Sequence, residues 1–117
     1  MQIYHYPQCS KSRKALIALQ KNFDDIDIIL YQQDIPTQYQ LTHLIKRYEG
    51  NPIDFVRKNE HRTFKKFTNL TDIVHFLVDH PECLQRPVID DGTNVIIGRP
   101  IENLRKLDGW DESFCFE

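Results

Sequence analysis

Hydrophobic and polar positions follow two different periods along this 117-residue chain. Residues 1–6 are rich in β-forming side chains and stop at Pro7, which predicts a first strand. From residue 10 to about 22, Ala and Leu recur at helical spacing among Lys and Gln, which predicts a helix. Residues 24–34 alternate and then become continuously apolar, which predicts a buried second strand. These three elements form a βαβ unit, whose strands should be parallel.

Residues 37–80 carry a helical pattern instead. The sequence TQYQLTHLIKRYEG places its leucines and isoleucine on one helical face and ends at Gly50. The sequence NPIDFVRKNE predicts a short second helix with Pro52 near its start. The apolar positions of TNLTDIVHFLVDHP predict a third helix that is closed by Pro81. This block is therefore a helical insert between two β regions.

A hairpin and a last helix complete the pattern. Two β-branched runs, RPVID and VIIGRP, flank the loop that contains Asp91 and Gly92, which predicts a β-hairpin. Ile101, Leu104 and Leu107 then repeat at helical spacing. The order is β-α-β, helical insert, β-β-α.

This order predicts an α/β protein with one domain over residues 1–117 and an insert at about residues 37–80. Without the insert, the remaining elements form a thioredoxin-like core. That core is a four-stranded mixed sheet with helices on both faces.

Composition narrows the class of protein. The chain is 40% hydrophobic, which supplies a core, and its net charge of -2 gives no general attraction to nucleic acid. The basic run at residues 57–66 would suit a phosphate backbone, but we interpret it as a solvated helix end and loop. No apolar run reaches the roughly 18 residues that a membrane span needs, and no secretory signal is recognisable. We therefore expect a cytoplasmic monomer with no nucleic-acid or membrane partner.

The cysteines predict free thiols. Cys9, Cys83 and Cys115 are odd in number and widely spaced, which is a poor basis for a disulfide framework. The five scattered histidines show no metal-ligand spacing, so we expect no metal.

Cys9 stands out because it falls between the first strand and the first helix. The first N–H groups of a helix have no internal partner, and they stabilise a thiolate or an oxyanion there. Lys11, Arg13 and His5 are close in sequence, and the Ser12 hydroxyl is able to point back at the sulfur. These neighbours predict a thiol pKa below the usual value of about 8.5. The alternative is a small buried hydrophobic residue, which is the commoner role of a single cysteine.

Two Arg-Pro pairs flank the predicted hairpin. Proline holds the preceding residue extended, so Arg86 and Arg99 are displayed from a stiff backbone. A guanidinium group matches a tetrahedral oxyanion with two parallel hydrogen bonds. Arg57, in the insert, is a third candidate. The alternative for all three is a solvated surface charge.

Five blocks in order resemble one known family: YHYPQCSKSRKAL, ILYQQDIP, FVRKNE, HPECLQRPVI and IIGRP. Together they resemble the arsenate reductases that are linked to glutaredoxin and glutathione, most closely the short bacterial members, which have the thioredoxin fold. The family commonly has His-Asn-Pro before the cysteine, whereas this chain has Tyr6 at the middle position.

The resemblance implies a role for each matching residue. Cys9 corresponds to the nucleophile that attacks arsenate. Arg57, Arg86 and Arg99 correspond to the arginines that hold the oxyanion. The remaining predicted site residues are Ser10, Lys11, Ser12 and Arg13 for substrate binding, with His5 and the cis-proline Pro87 in support.

The implied activity is the reduction of arsenate by a thiol. Glutathione serves as co-substrate and glutaredoxin as partner, and no bound cofactor is required. A related group on this fold regulates transcription by binding RNA polymerase and usually carries a CxxC switch, which the sequence CSKS lacks. That regulator and a glutathione-dependent thiol transferase without arsenate activity are the two alternatives.

Overall fold

The computed structural model describes residues 1–57 and 67–116. Four strands form one sheet in the order β2-β1-β3-β4. They are β1 (Gln2–Tyr4), β2 (Asp27–Ile29), β3 (Val88–Asp90) and β4 (Val95–Ile97). β1 and β2 are parallel, while β1–β3 and β3–β4 are antiparallel. The predicted βαβ unit, hairpin and mixed thioredoxin-like sheet are therefore confirmed.

The second strand is shorter and more exposed than we predicted. β2 has three residues and lies at the edge of the sheet, and Asp27 and Ile28 on it are exposed. After β2 the chain turns, because the N–H groups of Gln33 and Asp34 both bond to the carbonyl of Leu30. The prediction of a buried strand over residues 24–34 is wrong, since an edge strand has a neighbour on one side only.

Three α-helices occur among the described residues: α1 (Ser10–Asn22), α2 (Gln38–Arg47) and α3 (Leu70–Asp79). Thr37 and Gln40 form a capping box at the start of α2, and the Asn69 side chain accepts from the N–H of Asp72 at the start of α3. These caps satisfy backbone donors that a helix start leaves without partners.

The predicted second and last helices form only 3₁₀ turns in the described residues. These turns span Pro52–Phe55 and Ile101–Lys106, and a third covers Pro81–Cys83. The remainder of the predicted second helix and most of the basic run at 57–66 lie outside the described residues.

Helices cover both faces of the sheet. Ile3 and Ile89 pack with α1 and the Ile101–Lys106 turn, while Tyr4 and Val88 pack with α2 and α3. Successive strand residues point to opposite faces, so β1, β3 and β4 each contribute to both cores, whereas β2 contributes only Ile29. Arg47, at the end of α2, donates to both carboxylate oxygens of Asp90 on β3, at 2.9 and 2.6 Å. This bidentate pair ties the insert to the sheet.

Within the part of the chain that the structure describes, no helix has the length and apolar character to cross a bilayer.

Candidate active site

Cys9 is the residue immediately before α1, at the end of the loop that connects β1 to α1. Its backbone is extended, and its carbonyl accepts the first helical hydrogen bond, from the N–H of Arg13 at 3.0 Å. Its own N–H donates to the carbonyl of Tyr6 at 3.0 Å, which closes the loop. The side chain is half-buried. The thiol therefore stands before the free N–H groups of the first helical turn.

The pKa of Cys9 is lowered from its ordinary value. Burial opposes this by raising the pKa, but the backbone N–H of Ser12, the Arg86 side chain and the backbone N–H of Lys11 together outweigh it. Charge and hydrogen bonding to the thiolate thus prevail over desolvation. A lowered pKa increases the fraction of thiolate, which is the nucleophilic form.

Ser12 acts differently from the prediction. Its hydroxyl is buried and lies 2.7 Å from Nδ1 of His5, and it also accepts from the N–H of Tyr6 at 3.2 Å. These contacts, and not the sulfur, satisfy the hydroxyl, and the Ser12 backbone N–H is the group that reaches Cys9. The Ser12 side chain instead joins the loop to α1.

His5 is not a cation beside the thiol. The residue is buried, and burial lowers its pKa, as does the Arg13 charge. His5 is therefore neutral at pH 7. Arg13 donates to the carbonyl of Pro7 at 2.7 Å, so it holds the loop.

The two Arg-Pro arginines converge on Cys9 from the ends of the hairpin. Nη1 of Arg99 lies 3.9 Å from Sγ of Cys9 and 3.3 Å from the carbonyl oxygen of Arg86. At 3.9 Å the contact of Arg99 with the sulfur is long for a hydrogen bond. Arg86 is buried, and its guanidinium helps to lower the pKa of Cys9.

Both Arg-Pro peptide bonds are cis, at Pro87 and at Pro100. The cis bond at Pro87 lies at the position to which the resemblance assigned one.

Arg57 lies beside the same segment. Its backbone N–H donates to the carbonyl of Cys83 at 2.7 Å, and its Nη1 donates to Gln85 at 3.2 Å. Burial raises the pKa of Tyr31, and the charges of both Arg86 and Arg57 lower it. Arg57 and Arg86 therefore both place positive charge near the buried Tyr31 phenol.

Lys11 and Ser10 lie in the first turn of α1 with exposed side chains. The contribution of Lys11 to the site is its backbone N–H, which bonds to Cys9 and helps to lower the pKa of its thiol.

Sequence reasoning missed Tyr6 and Gly98. The Arg86 guanidinium lies over the Tyr6 ring, 4.8 Å from its centroid, which is a cation–π contact. A Cβ added at Gly98 would lie 2.9 Å from Pro87 and 3.1 Å from Ile89, so any other residue here would force one of these neighbours to shift. The departure of Tyr6 from the family pattern was a signal for the first residue. The position of Gly98 directly before Arg99 was a signal for the second.

The other two thiols lie elsewhere. Cys83 is fully buried in the core between the sheet and the insert, whereas Cys115 is exposed near the end of the chain. Neither is in a disulfide.

Cys9 is a thiol of lowered pKa that lies directly before a helix on a thioredoxin-like sheet. The protein therefore belongs to the class of thioredoxin-like proteins with a thiol site that stabilises an anion. The ArsC family profile matches residues 4–107 of the chain. The chain therefore belongs to the ArsC family.

Individual relatives agree with this family. The chain is 28% identical over 116 residues to the uncharacterized protein YfgD of Escherichia coli, and the match covers 93% of this chain and 97% of that one. It is 26% identical to an arsenate reductase of Neisseria meningitidis, with 92% and 97% covered. The solved arsenate reductase from Vibrio cholerae superposes with a TM-score of 0.80 at 25% identity, with 92% and 98% covered. Family membership thus supports a thiol-dependent oxidoreductase.

One relative is named as a regulatory protein and not as an arsenate reductase. The regulatory protein MgsR of Bacillus subtilis is 27% identical over 114 residues, and the match covers 89% of this chain and 86% of that protein.

Proposed function

We propose that the protein is an arsenate reductase that uses Cys9 as nucleophile and glutathione as reductant. The observation that carries this proposal is the half-buried Cys9 thiol of lowered pKa, flanked by the Arg86 and Arg99 guanidinium groups. A thiolate surrounded by cations attracts an anion, and helix N–H groups supply further donors to its oxygens.

The chemistry proceeds in three balanced steps. Cys9 sulfur bonds to arsenic(V), and one arsenate oxygen leaves as water. Glutathione sulfur then bonds to Cys9 sulfur, the sulfur–arsenic bond breaks with its electron pair remaining on arsenic, and arsenite is released. A second glutathione regenerates Cys9 by disulfide exchange, a step that we assign to glutaredoxin.

The arginines have separate parts in this scheme. Nη1 of Arg99 lies 3.9 Å from the sulfur, so Arg99 would contact the bound oxyanion directly. Arg86 would hold a second oxygen while keeping Cys9 ionised. Arg57 would add charge from the neighbouring segment. A cytoplasmic monomer is consistent with this use of glutathione.

The decisive experiment replaces each cysteine in turn. Cys9→Ser should abolish arsenite release in an assay with glutathione and glutaredoxin, because the serine hydroxyl is not ionised at neutral pH. Cys115→Ser is the matched control, since that thiol is exposed, and it should retain full activity. Cys83→Ser should keep the chemistry too, but the buried hydroxyl should lower the melting temperature. Arsenite release by Cys9→Ser would contradict the proposal.

A regulator is the second candidate, because the chain is similar to MgsR over 86% of that protein's length. A pull-down with purified RNA polymerase separates the two functions. Stable binding together with no arsenite release would favour the regulator. Turnover of a glutathionylated disulfide without arsenate reduction would instead indicate a thiol transferase.

A further inference from the structure

A cleft lies between α1 and the segment that follows β4. It has a volume of about 550 Å³, and its walls include Lys11, Lys14, Arg99, Ile101 and Glu102. The mechanism proposed above makes no use of it. Such a volume is in the range of small-molecule sites in proteins.

Arg99 joins this cleft to the thiol. The same side chain lines the cleft and brings its Nη1 to 3.9 Å from Sγ of Cys9. Lys11, also in the wall, donates its backbone N–H to Cys9. Cys9 is not itself among the residues that line the cleft, but the cleft borders two residues, Arg99 and Lys11, that also contact Cys9.

The charges of the cleft indicate the chemistry of its ligand. Lys11 and Lys14 are exposed cations on α1, Arg99 is a third cation, and Glu102 is the acidic side chain in the wall. Ile101 supplies an apolar surface. Carboxylates suit the lysines and an ammonium group suits Glu102, so the cleft complements a small peptide with two carboxylates and one amine.

A second cavity, of about 580 Å³, lies on the other side of Arg99, but its charges fit such a ligand less well. Its walls contain Asp54, whose carboxylate accepts from the Tyr48 hydroxyl at 2.7 Å. Burial and this contact raise the pKa of Tyr48 to about 12, so the phenol stays neutral. Among the described residues that line that cavity, a carboxylate ligand meets the Asp54 anion and one cation, Arg99, but no lysine.

We propose that the cleft formed by α1 and residues 98–102 binds the anionic thiol that resolves the Cys9 adduct, with Lys14 pairing one of its carboxylates. The inference rests on the proposed function, because it names the site of the reductant in that reaction. The bound thiol forms a disulfide with Cys9, the sulfur–arsenic bond breaks with its electrons on arsenic, and the thiol proton passes to an arsenite oxygen.

The test measures disulfide exchange at Cys9 without arsenate. Cys9 thiolate attacks oxidised glutathione, which gives Cys9–glutathione disulfide and one released glutathione. The same rate is measured with 2-hydroxyethyl disulfide, which is neutral. The ratio of the two rates cancels any change in the acidity of Cys9, because one thiolate attacks both probes. It therefore reports only recognition of the charged groups.

Lys14→Glu should lower this ratio about three- to tenfold, and more at low salt, because exposed ion pairs are weak and screened. Lys21→Glu is the matched control: it lies on the same helix two turns further on and is exposed, but it does not line the cleft. Its ratio should stay near that of the unmodified protein. Equal ratios for the two variants would overturn the inference.

A parallel arsenate assay separates the two proposals. If the ratio falls in Lys14→Glu but the unmodified protein releases no arsenite, the cleft binds the thiol and the arsenate reductase proposal is wrong. If arsenite is released and the two ratios agree, arsenate reduction stands and the assignment of the cleft is wrong.

Discussion

The two Arg-Pro pairs have the same sequence and the same cis peptide bond, but they place their arginines in different surroundings. Arg86 precedes β3 and is only 6% exposed; its Nη1 donates to the carbonyl of Glu82 at 3.3 Å and its guanidinium lies over Tyr6. Arg99 follows β4, is half-buried and lines the cavities on either side of it.

The same Arg-Pro dipeptide therefore has two different roles in this protein. Arg86 is packed by its surroundings and supplies a fixed charge to Cys9. Arg99 is half-buried and borders two cavities, while its Nη1 contacts the Arg86 carbonyl and the Cys9 sulfur. Truncating a buried guanidinium removes its packing and polar contacts together with its charge, whereas truncating a partly exposed one removes mainly its charge.

Replacing each arginine by alanine should show the difference between Arg86 and Arg99 most clearly. Arg86→Ala should lower the free energy of unfolding by about 2 kcal/mol, because it removes a buried side chain and its cation–π contact. Arg99→Ala should lower it by about 0.5 kcal/mol, as expected away from the core. Urea unfolding of both variants measures the difference. Equal losses would mean that burial does not distinguish the two arginines.

Gly98→Ala tests how the close passage of β4 past Pro87 affects the Cys9 site. The added methyl group meets Pro87 and Ile89, so we expect a loss of about 1 kcal/mol from overpacking and slower alkylation of Cys9 at neutral pH.

Gly92→Ala provides the control for Gly98→Ala. Its Cβ meets no atom within 4 Å, but its φ of +97° strains any other residue, so a loss of about 1 kcal/mol is expected there too. Unchanged alkylation in Gly92→Ala with slower alkylation in Gly98→Ala would link the effect to the contact of residue 98 with Pro87. Slowing in both variants would assign it to stability alone.

The smallest effect concerns the acidity of Cys9. Its pKa is lowered in the folded protein, so the thiolate is lost as pH falls through that lowered value. Arg86→Gln should move the midpoint of alkylation rate against pH upward, because both a hydrogen bond and a charge are removed. Arg99→Gln should move it upward less, given its 3.9 Å contact. The reverse order would make Arg99 the main cause of ionisation.

Local patterns were sufficient for much of the fold. The helical spacing in residues 10–22 gave α1 with its observed bounds, and the Asp91-Gly92 signal gave the hairpin. The apolar run at residues 24–34 misled us because periodicity reports which residues are apolar, but not whether a strand has one neighbour or two. The final helix was predicted from a spacing that a 3₁₀ turn also satisfies.

In the candidate site, too, some features were predictable from local sequence and others were not. The position of Cys9 before a helix could be predicted from neighbouring residues, because a strand, a loop and a helix fix its backbone. The direction of the Ser12 hydroxyl was not readable locally, because its partners are the His5 ring and the Tyr6 N–H, which the fold brings to it. The neutrality of His5 was equally hidden, since it depends on burial by residues distant in sequence.

The sequence by itself determined that a cysteine begins the first helix and that two arginines stand on stiff Arg-Pro backbones, because these are properties of neighbouring residues. Only the tertiary structure decided that Arg86 is buried against Tyr6, that Arg99 reaches the sulfur, and that a cleft with two lysines opens beside it. The reason is physical: antiparallel pairing of β1 with β3 and the close passage of β4 past Pro87 bring together residues that lie 90 positions apart along the chain.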